Sequence, residues 1–523
     1  MRAPGCLDRR GVVVTGWGTL VNAEPEWTER ADKRGLDPLG MQNAGVSLYQ
    51  SLLPGISNVT LRMRYYGYYC WVSDSYARAG ATDEFEAWRS WVRRAEALYA
   101  LVSSHAQGQG GVGGVEWADR RLAGDDATID FAEAASNNPN VEKYLRQSLG
   151  VFGGAYYSQM AEMGLFRQGD HGVQRATNVA GRQAADAFRA SIGPEVEALA
   201  LDSIKAARAT RETLASLLPL VPSEIPEGSS ERDVYENMLF VPSDATTNDS
   251  SRAASLRLVL RTADTVGGKP DSDEIRWHIF ASPELEDPAL NAQRVRWEAY
   301  QCQDILQMAA AALLEWATEL MAEFDSGRTP AEIEKEIQDR LGATEPEVAH
   351  LQWSQLRESL DPHAFDYRTT LARLTSRHGT AEQKAWDAIR LIAALDHRIA
   401  ARPDLRETIQ AELQVHGGGR SIITELAWIG RGADHPVGEL IASYVVERVV
   451  RRHSWVAMQK LRRQRDYTFL FEVQDGRLVR RRGYSAVPTT PRLGPAVQFL
   501  YDIGLIDEDG ATDRGRAVLG AVA

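Results

Sequence analysis

Cysteine is scarce: Cys6, Cys70 and Cys302 are the only three in 523 residues, far apart and without CxxC spacing. This usage argues against a zinc ribbon, a dithiol redox motif or a disulfide framework, and fits a reducing, cytoplasmic setting. Long apolar runs are scarce too. Near the N-terminus only Val12 to Val14 is continuous, much shorter than a signal-peptide core or a membrane span. Ile305 to Met321 is the most apolar stretch elsewhere, but Gln307, Glu315 and Glu319 interrupt it, so it reads as a buried core helix. Neither secretion nor membrane insertion is expected.

Catalytic signatures are also missing. HExxH, GxSxG, a P-loop, an EF-hand loop and paired CxxC do not occur, and no cofactor is expected. The glycine-dense QGQGGVGGVEW at 107–117 lacks the Lys and Ser/Thr that hold phosphate and magnesium, so it reads as a flexible connection. The loop His416, Gly417, Gly418, Gly419 resembles an esterase oxyanion loop, but without a nucleophile elbow it reads as a turn. The nearest approach to a nuclease set is Asp366 with Glu382 and Lys384, placed in helical sequence where such a core needs strands. The ten histidines are scattered; His363 near Asp361 and Asp366, and His397 beside Asp396, lack ligand spacing.

What is present is an ordinary globular composition, 44% hydrophobic and 25% charged, in a chain long enough for two to four cores. Helical periodicity dominates. The segment Asn58 to Arg78 places Leu61, Tyr65, Tyr68, Val72 and Tyr76 on one helix face, and Thr82 opens a helix to about His105. Trp297, Tyr300, Ile305, Met308, Leu313, Trp316 and Leu320 mark the core of a long helix over about 292–324. Thr329, Pro330 and Glu332 supply a capping box with proline at the first helical position. The expected fold is mainly α: an irregular arm over 1–40, a helical domain over 41–220, a linker or exposed loops over 221–251, a second helical domain over 252–436, and a basic winged-helix-like α+β module over 437–523. In that module a helix over 437–464 precedes YTFLFEV and RLVRRR, which Gln474, Asp475 and Gly476 join into a hairpin with a tight Asp-Gly turn. The closing stretch PRLGPAVQFLYDIGLIDEDGATDRGRAVL resembles the end of many winged-helix domains.

Charge is unevenly distributed. From Arg448 to Arg492 the chain has twelve Lys or Arg and three Asp or Glu, a local +9 within a total of −13, leaving −22 for the remainder. An acidic body therefore carries one basic module. Arg451, Arg452, Lys460, Arg462, Arg463, Arg465, Arg480, Arg481, Arg482 and Arg492 form a candidate nucleic-acid surface, with double-stranded DNA the expected partner. The competing assignment pairs these cations with the acidic body or with a partner protein. The run RMRYYGYYCWVSDSY, Arg62 to Tyr76, could stack bases beside Arg62 and Arg64, although helical periodicity buries about half of its rings.

Two stretches resemble an uncharacterised group of large bacterial proteins found in defence or mobile-element loci. In 36–72 the shared pattern falls on Leu53, Pro54, Gly55, Ser57, Thr60, Arg62, Arg64 and Tyr65; the second stretch is HSWVAMQKLRRQRDYTFLFEVQDGRL, 453–478. The resemblance implies a role in bacterial immunity beside other defence-system subunits, and supplies no catalytic residue. The combined expectation is a non-enzymatic, DNA-associated subunit of an anti-phage system. A nuclease-type effector and a protein-docking scaffold are the alternatives.

Overall fold

A computed structural model describes residues 37–520 apart from 81, 125, 137, 139–140, 142–143, 243–245, 377 and 417–419. The expected arm up to residue 36, with Cys6 and Val12 to Val14, and the loop glycines Gly417 to Gly419 lie outside the described residues. The fold is mainly helical, 66% helix against 6% strand. Among the described residues the strands form four separate two-stranded antiparallel pairs, so sheet does not organise the core there. Residues from Pro38 onward belong to one compact unit.

A 35-residue helix, Pro288–Ala322, runs through that unit. Its start follows from local chemistry: Asp287 accepts hydrogen bonds from the amides of Ala289 and Leu290 at 2.8 and 3.0 Å, with Pro288 at the first position, where its missing N–H is harmless. Helices Ala381–Ala401, Pro403–His416, Gln42–Leu52, Thr247–Val266 and Ser272–Ala281 pack around it. Among the described residues it is the one helix long and apolar enough to cross a membrane, and 89% of its most apolar window is buried inside the protein. The seven apolar residues expected in its core are all buried, as are Gln307 and Glu315; Glu319 is exposed.

The aromatic run begins its helix later than periodicity suggests, at Arg64–Arg78. Ser57 and Thr60 hold the preceding turn: the Thr60 hydroxyl donates to the Ser57 carbonyl at 2.9 Å and accepts from the Ser57 amide at 2.8 Å. Asp502, 439 residues away, then accepts the Met63 amide at 3.0 Å and pairs with Arg62. Burial exceeds one face. Tyr65, Tyr66, Tyr68, Tyr69 and Trp71 are all at most 1% exposed, while Leu61, ahead of the helix, is 41% exposed. Gly67 permits this density, since a Cβ there would lie 2.0 Å from the Tyr235 hydroxyl. The next helix, Phe85–Ala106, starts from Glu84 without a side-chain cap, so Thr82 does not open it. The Thr329 capping box and Pro330 start are present as expected.

The basic helix is one continuous run with a π-helical turn: Val437–Tyr444, Val445–Val450, Arg451–Gln464. The hairpin Phe471–Gln474 with Arg477–Arg480 turns on Asp475 (φ 49°) and Gly476 (φ 78°), the two positive φ values that a tight two-residue turn requires. Helix Leu493–Asp502, the short pair Ile506–Asp507 with Gly510–Ala511, and helix Asp513–Gly520 follow, packed on Thr247–Val266. Among the described residues the strands of this C-terminal segment are limited to these two small pairs.

Glu96 lies fully buried beneath the tyrosines. It accepts the Tyr69 hydroxyl at 2.8 Å and the amides of Phe152 and Val151 at 2.6 and 3.2 Å, yet burial outweighs these bonds and pushes its pKa from 4.5 up to about 7. Between those pH values the folded chain holds a proton that the unfolded chain has released. Stability is therefore highest below about pH 4.5 for this group and falls by about 3 kcal/mol as pH rises through about 7. Denaturant titrations across this range should show that decline, and Glu96→Gln should flatten it.

Candidate nucleic-acid interface

The basic helix Arg451–Gln464 has two unlike faces. Inward, His453, Val456 and Ala457 are buried. His453 joins three parts of the chain: its Nδ1 lies 3.1 Å from the Pro38 carbonyl, its Nε2 accepts the Leu470 amide at 3.0 Å, and its ring packs on Phe471 at 5.2 Å. Burial pushes its pKa down to about 4, so it is neutral at ordinary pH and serves as a structural tie. Outward, Arg451, Trp455, Met458, Arg462 and Arg465 recur at spacings of three and four along one exposed stripe, with Leu461 and Arg463 at its sides. Trp455 is 53% exposed and Met458 44%.

The ten predicted cations separate by environment. Arg462, Arg463 and Arg465 are exposed and make no side-chain hydrogen bond or ion pair with any described residue. Arg465 also ends the helix in a left-handed conformation, φ 55°. Arg451 faces Glu447 at 3.6 Å across an exposed pair that holds it only weakly. Arg452 is half-buried, donating from Nε to the Leu39 carbonyl at 2.9 Å with its guanidinium 4.3 Å from the Trp455 ring centre, and Lys460 is also half-buried. Arg480, Arg481 and Arg482 line a small surface cavity of about 250 Å³ beside the end of the central helix at Met321 and Ala322. Arg481 donates to Glu472 at 2.7 Å, and Nε and Nη2 of Arg482 are buried without a hydrogen-bond partner among the described residues. Arg492 stands apart from the others: it is buried and donates to the Leu53 carbonyl at 3.2 Å.

Other basic residues of this region contact acids of the body, Arg477 to Glu332 at 2.8 Å and Arg448 to Glu425 at 2.6 Å. Some of the local positive charge thus attaches the segment to its own chain, while the end of the basic helix keeps its charge for solvent. Periodicity did not single out Trp455 and Met458. Two apolar sets run along this helix, 453/456/457 and 455/458/461, and only packing decides which is turned inward.

The remaining candidates do not converge. Asp366 caps its own helix through the Thr369 amide at 3.0 Å and lines a cavity of about 1070 Å³ with Trp277, Phe280 and Arg398. Glu382 accepts from Arg340 at 2.8 Å and Lys384 faces Glu315 at 3.5 Å, beside a different cavity of about 750 Å³. Among the described residues no group of three or more His, Cys, Asp or Glu is placed to hold a metal ion. The aromatic run is interior, so its rings are inaccessible to bases. Its arginines are structural: Arg64 bonds Glu231 at 2.9 and 3.1 Å and the carbonyls of Pro219 and Val221, and Arg62 bonds Asp502 and the Gly110 carbonyl.

Comparison with models of known protein families, with curated proteins and with solved structures finds no match to this chain.

Exposure separates the cations by measurable stability. Arg462→Ala, Arg463→Ala and Arg465→Ala should each leave unfolding free energy within about 0.5 kcal/mol of wild type, whereas Arg492→Ala should lose about 1 to 3 kcal/mol in the same denaturation experiment.

Proposed function

We propose that this protein binds nucleic acid through the exposed stripe of its basic helix, acting as a non-enzymatic, DNA-associated subunit of a bacterial defence system in the cytoplasm. The observation that carries the reading is the group Arg462, Arg463 and Arg465: three guanidinium groups at one helix end without a partner among the described residues, on the helix that Arg451 begins, in a chain whose remainder is strongly acidic. Unpaired exposed arginines can neutralise backbone phosphates and release their counterions, which gives affinity independent of base sequence. The resemblance of 36–72 and 453–478 to proteins of defence loci supports the cellular setting and the expectation of partner subunits. A winged-helix reading of 437–523 accompanies this proposal. The order of helix, short strand pair and helix from Leu493 to Gly520 supports it.

Anisotropy of labelled duplex DNA over a salt series tests the reading. Wild type should bind with an affinity that falls steeply with salt. The triple variant Arg462→Ala, Arg463→Ala, Arg465→Ala should bind more weakly to every sequence, with a log-log slope shallower by about 2 to 3, since each lost phosphate contact removes about 0.9. Equal affinity and slope for the two proteins would refute it.

A further inference from the structure

We infer that the stripe on the basic helix prefers single-stranded over double-stranded nucleic acid, with Trp455 stacking on an unpaired base between phosphates held by Arg451 and Arg462. This inference rests on the nucleic-acid reading above and specifies its ligand. Between Arg451 and Arg465 the helix rises about 21 Å, enough to follow a few nucleotides of an extended strand. Along that length the order is cation, indole, thioether, cation, cation: Arg451, Trp455, Met458, Arg462, Arg465. A surface made only to follow duplex phosphates has no use for 53% exposed Trp455 and 44% exposed Met458 at its centre, because the faces of paired bases are hidden in the stack. An unpaired base offers its flat face to such a ring.

The indole is supported. Arg452 places its guanidinium 4.3 Å from the ring centre and is itself tied to the Leu39 carbonyl, so Trp455 is backed by a cation on one side while about half of the residue remains open to solvent. Tyr467, two residues beyond the Arg465 cap, is 41% exposed, bonds Glu472 through its hydroxyl and packs on Phe469 at 5.4 Å, which adds a second held ring past the helix end. Electrostatics acts in the same direction. The chain outside the basic segment carries −22, and a duplex, with one charge per about 1.7 Å of axis, is repelled by it more strongly than a single strand is.

The test compares a labelled twelve-nucleotide oligothymidine with a labelled twelve-base-pair duplex, at one salt concentration, against the full chain and its variants. Wild type should bind the single strand more tightly. Trp455→Ala should weaken single-strand binding about 5- to 150-fold and leave duplex binding within about twofold, while Trp455→Phe, which keeps a ring, should recover most of the loss. Thermal melting of both variants should match wild type, because the side chain is exposed. Duplex binding equal to or tighter than single-strand binding, or an equal loss on both ligands in Trp455→Ala, overturns the single-strand preference but leaves the arginine-based reading standing. Binding of neither ligand overturns both, and self-association of the chain through Trp455 in that case would assign the stripe to a protein interface.

Discussion

Burial of polar groups on the central helix Pro288–Ala322 is the constraint on which the surrounding architecture depends. On a helix so largely enclosed, each interior polar group left unpaired is destabilising by a few kcal/mol. Gln301 Nε2, Gln307 Oε1, Glu315 Oε2 and Trp316 Nε1 have no hydrogen-bond partner among the described residues, whereas Glu298, Gln303 and Asp304 are met by distant segments. Glu298, fully buried, is met by Arg398 at 2.7 Å and by Arg294, one turn earlier, at 3.0 Å. Asp304 takes Arg276 and the Thr489 hydroxyl, each at 2.6 Å. Gln303 donates to the Met41 carbonyl at 3.1 Å and accepts the Ile422 amide at 2.8 Å. Three residues within two turns thereby fix the rotational setting of five other stretches of chain, which apolar packing alone would leave less specified. Removing one member of such a set strands its partners, so these contacts are costly to break even where their net stabilisation is small.

The same logic governs the stretch from Leu53 to Tyr65. Arg62 and Arg64 lie two residues apart yet reach Asp502 and Glu231, and Gly55 donates its amide to Glu162 at 2.9 Å. The stretch is thus a junction at which distant segments are fastened to the start of one buried helix. It makes helix Leu493–Asp502 part of the core: Phe499 packs on Tyr66 at 5.4 Å, about one turn along the chain from each member of the Arg62 to Asp502 pair. A C-terminal segment held in this way presents the basic helix on a firm base, with His453 tying that helix to Pro38 and Leu470.

Part of the surface was legible from charge alone. The excess of Arg after residue 448 located the candidate interface, and the division of its cations into free, weakly paired, half-buried, cavity-lining and interior was beyond reach, because a guanidinium in a sequence carries no mark of its partner. Arg492 shows the point: it closes the basic stretch in sequence and serves the interior beside Leu53. The apolar members Trp455 and Met458 were hidden for a related reason, since a helix with two apolar stripes has no local preference for which one it buries.

From the sequence by itself came the helical class, the long buried helix, expected over about 292–324 and found at 288–322, the capping box at Thr329 and the Asp-Gly hairpin turn, all set by short-range rules of periodicity, capping and backbone φ. The tertiary structure alone decided that the aromatic helix is enclosed all round rather than on one face, that its arginines are structural, that Asp366 lies apart from Glu382 and Lys384, and which stripe of the basic helix meets solvent. Each of these depends on partners hundreds of residues away, and no local pattern encodes a contact whose other half lies across the core.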